Sequence, residues 1–158
     1  MPPARKEDPT IRAYPLNDPA QPLAAAELKT HGILSWSVPP DEAARQAAIE
    51  TIKREQGYVD HDFIELDAGT PNLDAICARF DREHSHTEDE VRFVVDGEGI
   101  FDVRDAADRW IRIEVSEGDL IVIPARKHHR FYLTGQKRIR CMRLFVNHDG
   151  WSPLYREA

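Results

Sequence analysis

Residues 83–101 read EHSHTEDEVRFVVDGEGIF, a polar run that passes at Glu90 into a segment rich in valine and phenylalanine. Valine and phenylalanine favour strands, where successive side chains point to opposite faces. His84, His86, Glu90 and Arg92 are all even-numbered, so an extended chain projects all four to one side. On a barrel that side is the interior. Imidazoles and a carboxylate turned inward are costly to bury unless something coordinates them. A cation resolves this, and two imidazoles with one carboxylate form a facial ligand set that suits iron(II) and leaves positions open. A solvated loop is the competing reading of the same residues.

On the C-terminal side, short apolar segments succeed one another closely: EVRFVV, GIFDVR, RWIRIEVS, DLIVIP, HRFYL and IRCMRLF, divided by the turn signals DGEG, DAAD and SEGD. This spacing predicts an antiparallel barrel or sandwich. On the N-terminal side, ILSWSV (33–38) and DFIELD (62–67) read as further strands. PPDEAARQAAIETIKREQG (39–57) predicts a helix with Ala44, Ala48 and Ile52 on its buried stripe, Ala47 beside them and Gly57 ending it. TPNLDAICARF (70–80) predicts a second, with Leu73, Ile76, Cys77 and Phe80 on one face and Thr70 or Asn72 as cap. DPAQPLAAAEL, ahead of Gly32, is a weaker third. The fold expected is mainly β, an antiparallel barrel with peripheral α-helices, forming one domain over residues 1–158 with its barrel core at about 60–146.

The 158 residues suffice for one domain with a sizeable core. Against 28 acidic residues stand 21 Lys and Arg, a net charge of −7, and no basic stripe runs along the chain, which argues against nucleic acid as a partner. MPPARKEDPT lacks the apolar run of a secretory signal, and no segment approaches the roughly 20 apolar residues of a membrane span. A soluble, cytoplasmic protein with no membrane partner is expected. Cys77 and Cys141 are too few for a disulfide framework and lack zinc-knuckle spacing, so both read as reduced, buried thiols. His31, His61 and His148 stand singly in polar surroundings and read as surface residues.

A second stretch, GDLIVIPARKHHRFYL (118–133), ends an apolar strand at Pro124 and re-enters one with His128 and His129, either of which could supply a further ligand. The two stretches together match the paired motifs of the cupins: His84, His86, Glu90 and Gly97 in the first, Gly118, Pro124 and His129 in the second. The match departs at Ala78, where the first motif opens on glycine, at Arg126, where the second has its middle glycine, and at Leu133, where asparagine is usual. These are turn or packing positions, and every ligand position is intact.

Beyond the cupin pattern, EHSHTEDEVRFVVDGEGIF, PARKHHRF and MRLFVNHDGW, with EQGYVDHDFIEL ahead of them, resemble the acireductone dioxygenase family of methionine salvage over roughly residues 55–152. The resemblance implies a cupin jelly roll. It implies one ion per chain, Fe(2+) or Ni(2+), on His84, His86, Glu90 and His129, with His129 preferred to His128. The implied substrate is an acireductone, oxidised by dioxygen to formate and the keto-acid precursor of methionine with iron, or to formate, carbon monoxide and a shorter carboxylic acid with nickel. Arg92 is placed to neutralise the substrate anion, its competing role being a rim salt bridge. Phe131 and Phe145 are candidates for the pocket wall, Arg143 and Trp151 for its border, whereas Phe93 reads as core and Glu88 and Asp89 as solvated or supporting. A monomer is expected. The alternatives are a metal-binding or ligand-sensing cupin without turnover, and a zinc-dependent sugar isomerase.

Overall fold

The computed structural model describes residues 11–146 and 153–156. Its elements run β1 (Arg12–Pro15), α1 (Ala25–Thr30), β2 (Leu34–Ser37), α2 (Glu42–Gln56), β3 (Asp60–Leu66), α3 (Leu73–Phe80) and β4 (His84–Ser85). They continue as β5 (Glu90–Arg104), β6 (Trp110–Ser116), β7 (Asp119–Ile123), β8 (His129–Tyr132), β9 (Ile139–Phe145) and β10 (Leu154–Tyr155). The protein is mainly β, with its helices outside the sheets.

The long strand β5 organises the whole. Its first half lies between β7 and β9, and its second half between β6 and β8, all antiparallel. Two sheets therefore share one strand: β2-β7-β5-β9-β3 on one side and β1-β6-β5-β8-β4-β10 on the other. Among the described residues the sheets do not close into a ring of hydrogen bonds. Two strands from ahead of residue 60 join them, β2 against β7 and β1 against β6.

The DGEG stretch corrects the expectation of a turn. It is a corner inside β5, with a register shift between Val94 and Asp96. Gly97 has φ 83°, and a Cβ there would collide with the Arg138 carbonyl, so only glycine lets the two backbones approach. The extra residue reverses the parity of the strand beyond it. Before the corner the even residues Glu90 and Arg92 face the interior with Val94; after it the odd residues Phe101 and Val103 join Val94 in the same apolar core.

That interior core also takes Leu66, Ile113, Ile121, Ile139 and Cys141. A second core lies under α2, where Ile49 and Ile52 pack with Val91, Phe93, Leu120 and Leu144. Phe93 is thus core, as its parity requires. Each such side chain contributes roughly 1.5–3 kcal/mol on burial. The Asp41 carboxylate accepts from the Ala44 amide at 2.9 Å to start α2, and Gly57, at φ 80°, ends it. Ile49 is buried while Ala47 is exposed, which shifts the helix's inner face slightly from the one expected.

At α3 the N-cap is Asn72, but it sits in the left-handed region (φ 59°) and its side chain makes no capping bond. Thr70 instead accepts from the Asp67 amide at 2.9 Å, stabilising the preceding turn. Cys77 is only half-buried, because α3 covers the barrel mouth rather than its centre; Cys141 is fully buried. His31 is half-buried and His61 exposed; His148 lies outside the described residues. No helix of the described residues is long and apolar enough to cross a membrane.

Candidate metal centre

Three strands bring the predicted residues together. His84 of β4 pairs directly with His129 of β8, and β5 carries Glu90 and Arg92 on the same interior face. His86 lies in the loop after β4, and that loop is pinned rather than free. The His86 carbonyl accepts from the Arg126 amide at 2.7 Å. Asp89 accepts from the Tyr58 hydroxyl at 3.0 Å and from the Ala125 amide at 2.9 Å, so it fastens this loop to the one after β7. Asp89 therefore supports the site, one of the two roles its position allowed.

The ring orientations are set by hydrogen bonds. His84 Nδ1 lies 2.6 Å from the Arg82 carbonyl and His129 Nδ1 lies 2.9 Å from the Lys127 carbonyl. A carbonyl only accepts, so each Nδ1 donates and each Nε2 is left to face the cavity. His84, His86 and His129 are all buried, and their ligand atoms lie within 4.8 Å of one another. Glu90 stands beside this trio: one carboxylate oxygen is 2.8 Å from His129 Nε2, the other 3.6 Å from His86 Nε2 and 2.9 Å from an Arg92 guanidinium nitrogen.

Three buried atoms here have no aligned hydrogen-bond partner: His86 Nδ1, His129 Nε2 and one oxygen of Glu90. Three buried imidazoles whose ligand atoms gather beside a carboxylate, with polar atoms there left without hydrogen-bond partners, are what a divalent cation satisfies, so these residues fit a metal. Burial holds the His84 imidazolium down, to about 4, with the neighbouring His129 adding to the effect. Burial also disfavours charge on His129, but the Glu90 carboxylate more than reverses it and raises that imidazole. For Glu90, burial is likewise outweighed by Arg92 and His129, which hold the carboxyl well below its usual range.

The surrounding cavity is apolar. Ile64, Leu66, Phe80, Phe101, Phe131, Ile139 and Cys141 line its inner part, and Ile76, Arg79, Arg143, Pro153 and Tyr155 its mouth. Burial pushes the Cys141 thiol up to about 12, so it acts as an apolar wall. Phe131 lines the cavity, 4.9 Å from the Phe101 ring. Arg92 is not a rim residue: its side chain is 11% exposed and it reaches Glu90 inside the cavity. Arg143 borders the mouth and is held by Asp62 through two hydrogen bonds, at 2.8 and 2.6 Å. Phe145 is buried but lines neither part of the cavity, because it lies at the end of β9 opposite Asp60. Trp151 lies outside the described residues. His128 is half-buried and outside the imidazole trio.

Sequence reasoning left Phe80, Ile64 and Leu66 out of the pocket, although Phe80 lay on the apolar stripe of α3 and Ile64 and Leu66 share one parity on β3. Tyr155 and Pro153 had no local signal at all.

The sequence model of the ARD/ARD' family matches residues 4–153. An acireductone dioxygenase of Heterostelium pallidum is 42% identical over 137 residues, covering 86% of this chain and 92% of that protein. One from Branchiostoma floridae is 42% identical over 148 residues, 93% of this chain and 82% of that protein. Among solved structures, an acireductone dioxygenase from Bacillus anthracis, with cadmium ion in its active centre, superposes with a TM-score of 0.78 at 31% identity, over 92% of this chain and 96% of that one. The chain belongs to the ARD/ARD' family.

Proposed function

We propose that this protein is an acireductone dioxygenase of methionine salvage that holds one Fe(2+) or Ni(2+) ion on His84, His86, His129 and Glu90. The observation that carries the reading is the cluster of three buried imidazoles, two of them with an unpartnered ring nitrogen, beside a carboxylate held ionised by Arg92 and His129. A bound divalent ion would supply Lewis acidity, lowering the proton affinity of an enediol and leaving adjacent positions for substrate.

The chain's own groups do the rest. The Arg82 and Lys127 carbonyls fix the two imidazoles so that Nε2 faces inward. Arg92 orients Glu90 in the resting site, and its guanidinium lies where an enediolate anion entering the cavity gains a charge-assisted contact. Arg143, already neutralised by Asp62, contributes shape at the mouth more than charge. Phe80, Phe131, Ile139 and Cys141 exclude water and receive the apolar tail of the substrate. The reading extends to one cupin domain over residues 1–158, acting as a cytoplasmic monomer on a free small molecule.

Oxygen uptake on adding a synthetic acireductone to iron-loaded and nickel-loaded protein tests the proposal. Formate with a keto acid from the iron form, and carbon monoxide from the nickel form, are the expected products. Stoichiometric metal without oxygen uptake would instead assign a metal-binding cupin.

A further inference from the structure

We propose that Glu83 and Arg156 form an ionic clasp that positions His84, which makes the C-terminal strand part of the metal centre. The proposal rests on the reading of His84 as a metal ligand.

The strand that carries His84 is two residues long. It has one register pair with β8, His84 to His129, and two with β10, Leu154 to Ser85 and Tyr155 to His84. So short a ladder leaves a side chain poorly fixed, because few hydrogen bonds offset the backbone entropy lost in ordering it. The fixing comes from the residue before it. The Glu83 carboxylate receives a two-pronged contact from Arg104, Nε and Nη2 each at 3.1 Å, and a third bond from Arg156 Nη1 at 2.7 Å. The Arg156 amide donates to the Glu83 carbonyl at 3.0 Å.

The same guanidinium continues to the turn between β5 and β6, where Nη1 and Nη2 meet the Asp108 carboxylate at 2.8 and 2.9 Å. Asp108 is left-handed (φ 63°), a conformation that aspartate tolerates. Arg104 donates to the Asp108 carbonyl at 2.9 Å and lies 3.7 Å from the centre of the Trp110 ring. On the other side of His84, the Arg82 guanidinium covers the Tyr155 ring at 4.2 Å, and the Arg82 carbonyl is the acceptor that sets the His84 ring. Residues 82 and 83 are thus each tied to the C-terminal strand, and the ligand comes directly after them. Bidentate guanidinium–carboxylate contacts fix geometry as well as adding energy.

The test uses full-length protein loaded with nickel and monitors release of the ion to a chelator. Glu83→Gln and Arg156→Gln should each release nickel about ten- to a hundredfold faster than the parent, the usual consequence of loosening a ligand's support. The double variant should be slower than the product of the two single effects, because the residues share one contact beside those that Glu83 makes with Arg104 and Arg156 with Asp108. Arg156→Lys should recover part of the loss, and Arg138→Gln, which breaks the exposed pair with Asp96, should release at the parent rate. Parent-like release from folded Glu83→Gln and Arg156→Gln, or rate effects that multiply in the double variant, overturns the clasp. If Glu83→Gln does not fold, Arg156→Gln decides alone. Oxygen uptake plays no part in this readout, so absent turnover removes the dioxygenase reading without touching the clasp. His129→Ala, expected to hold no nickel, separates failure of the metal site from failure of its support.

Discussion

Replacing Arg92 with leucine removes a charge from the centre of the site while keeping much of the volume. Arg92 and Glu90 are 2.9 Å apart, their side chains 11% and 8% exposed, so the pair is buried. Deleting one partner of a buried pair costs about 3–5 kcal/mol, because the remaining charge loses its main compensation, here leaving Glu90 only the neighbouring imidazoles. For a domain of this size 1 kcal/mol shifts the melting point by about 2–4 °C, so metal-free Arg92→Leu should melt roughly 6–20 °C below the parent. Metal changes the balance, since a cation beside Glu90 replaces part of what Arg92 supplied. The rise in melting point on adding nickel should therefore be larger in the variant than in the parent. Catalysis loses a charge-assisted contact to the substrate anion, about 1.5–3 kcal/mol, which is about a ten- to a hundredfold loss in kcat/KM. Thermal melts of stripped and nickel-loaded protein, with steady-state oxygen uptake, measure both effects. A metal-free variant that melts with the parent, or a folded, metal-replete one with unchanged kcat/KM, refutes the reasoning.

Three further outcomes are expected. His129→Ala should lose stoichiometric metal while His128→Ala keeps it, by elemental analysis of purified protein; the reverse pattern would move the ligand to His128. Arg126 is exposed and sits at φ 69°, a backbone that costs a non-glycine residue about 1–2 kcal/mol. Arg126→Gly recovers this and loses about 0.4–1 kcal/mol to the greater freedom of the unfolded chain, so it should stabilise by roughly 0.5–1 kcal/mol in urea melts; destabilisation would assign the side chain a contact. Because Glu90 raises the His129 imidazole, metal must compete there with a proton held more tightly than on an ordinary histidine, whereas His84, held near 4, is already neutral. Calorimetry at pH ~7 in two buffers of different ionisation enthalpy should show metal binding that releases protons and weakens as pH falls; binding without proton release would refute the assignment.

Much of the architecture was legible because it rests on local periodicity. The strands from β5 to β9 each carry their own pattern of apolar residues, and one parity rule placed His84, His86, Glu90 and Arg92 in a single cavity. The rule held within β5, where Glu90 and Arg92 precede the corner at Asp96 and Gly97; carried further, it would have turned Phe101 and Val103 outward. His84 and His86 reach the same cavity although the strand breaks between Ser85 and Glu90, because the loop pinned by Asp89 returns the chain to that face. The corner itself was read as a turn, since glycines that end a strand and glycines that bend one look alike in sequence. Phe145 was misplaced for a different reason. Parity gives the face of a strand but not how far along it the cavity extends.

The support of the ligands was not legible, and the reason is physical. A two-residue strand has no period, so β4 and β10 leave no trace in the sequence, and β1 is recognisable only through its partner β6. Glu83 looks like an ordinary surface acid until the chain brings it to Arg104 and Arg156, from 21 and 73 residues away. The Arg126 position shows the converse. There the sequence departs from the cupin motif's glycine, yet the backbone keeps the left-handed turn, because the Arg126 amide must still reach the His86 carbonyl. The conformation is imposed by the site and only made easier by glycine. A substitution at such a turn is therefore expected to change stability before it changes chemistry, whereas one at Glu83, remote from every reacting atom, is expected to change how long the metal stays.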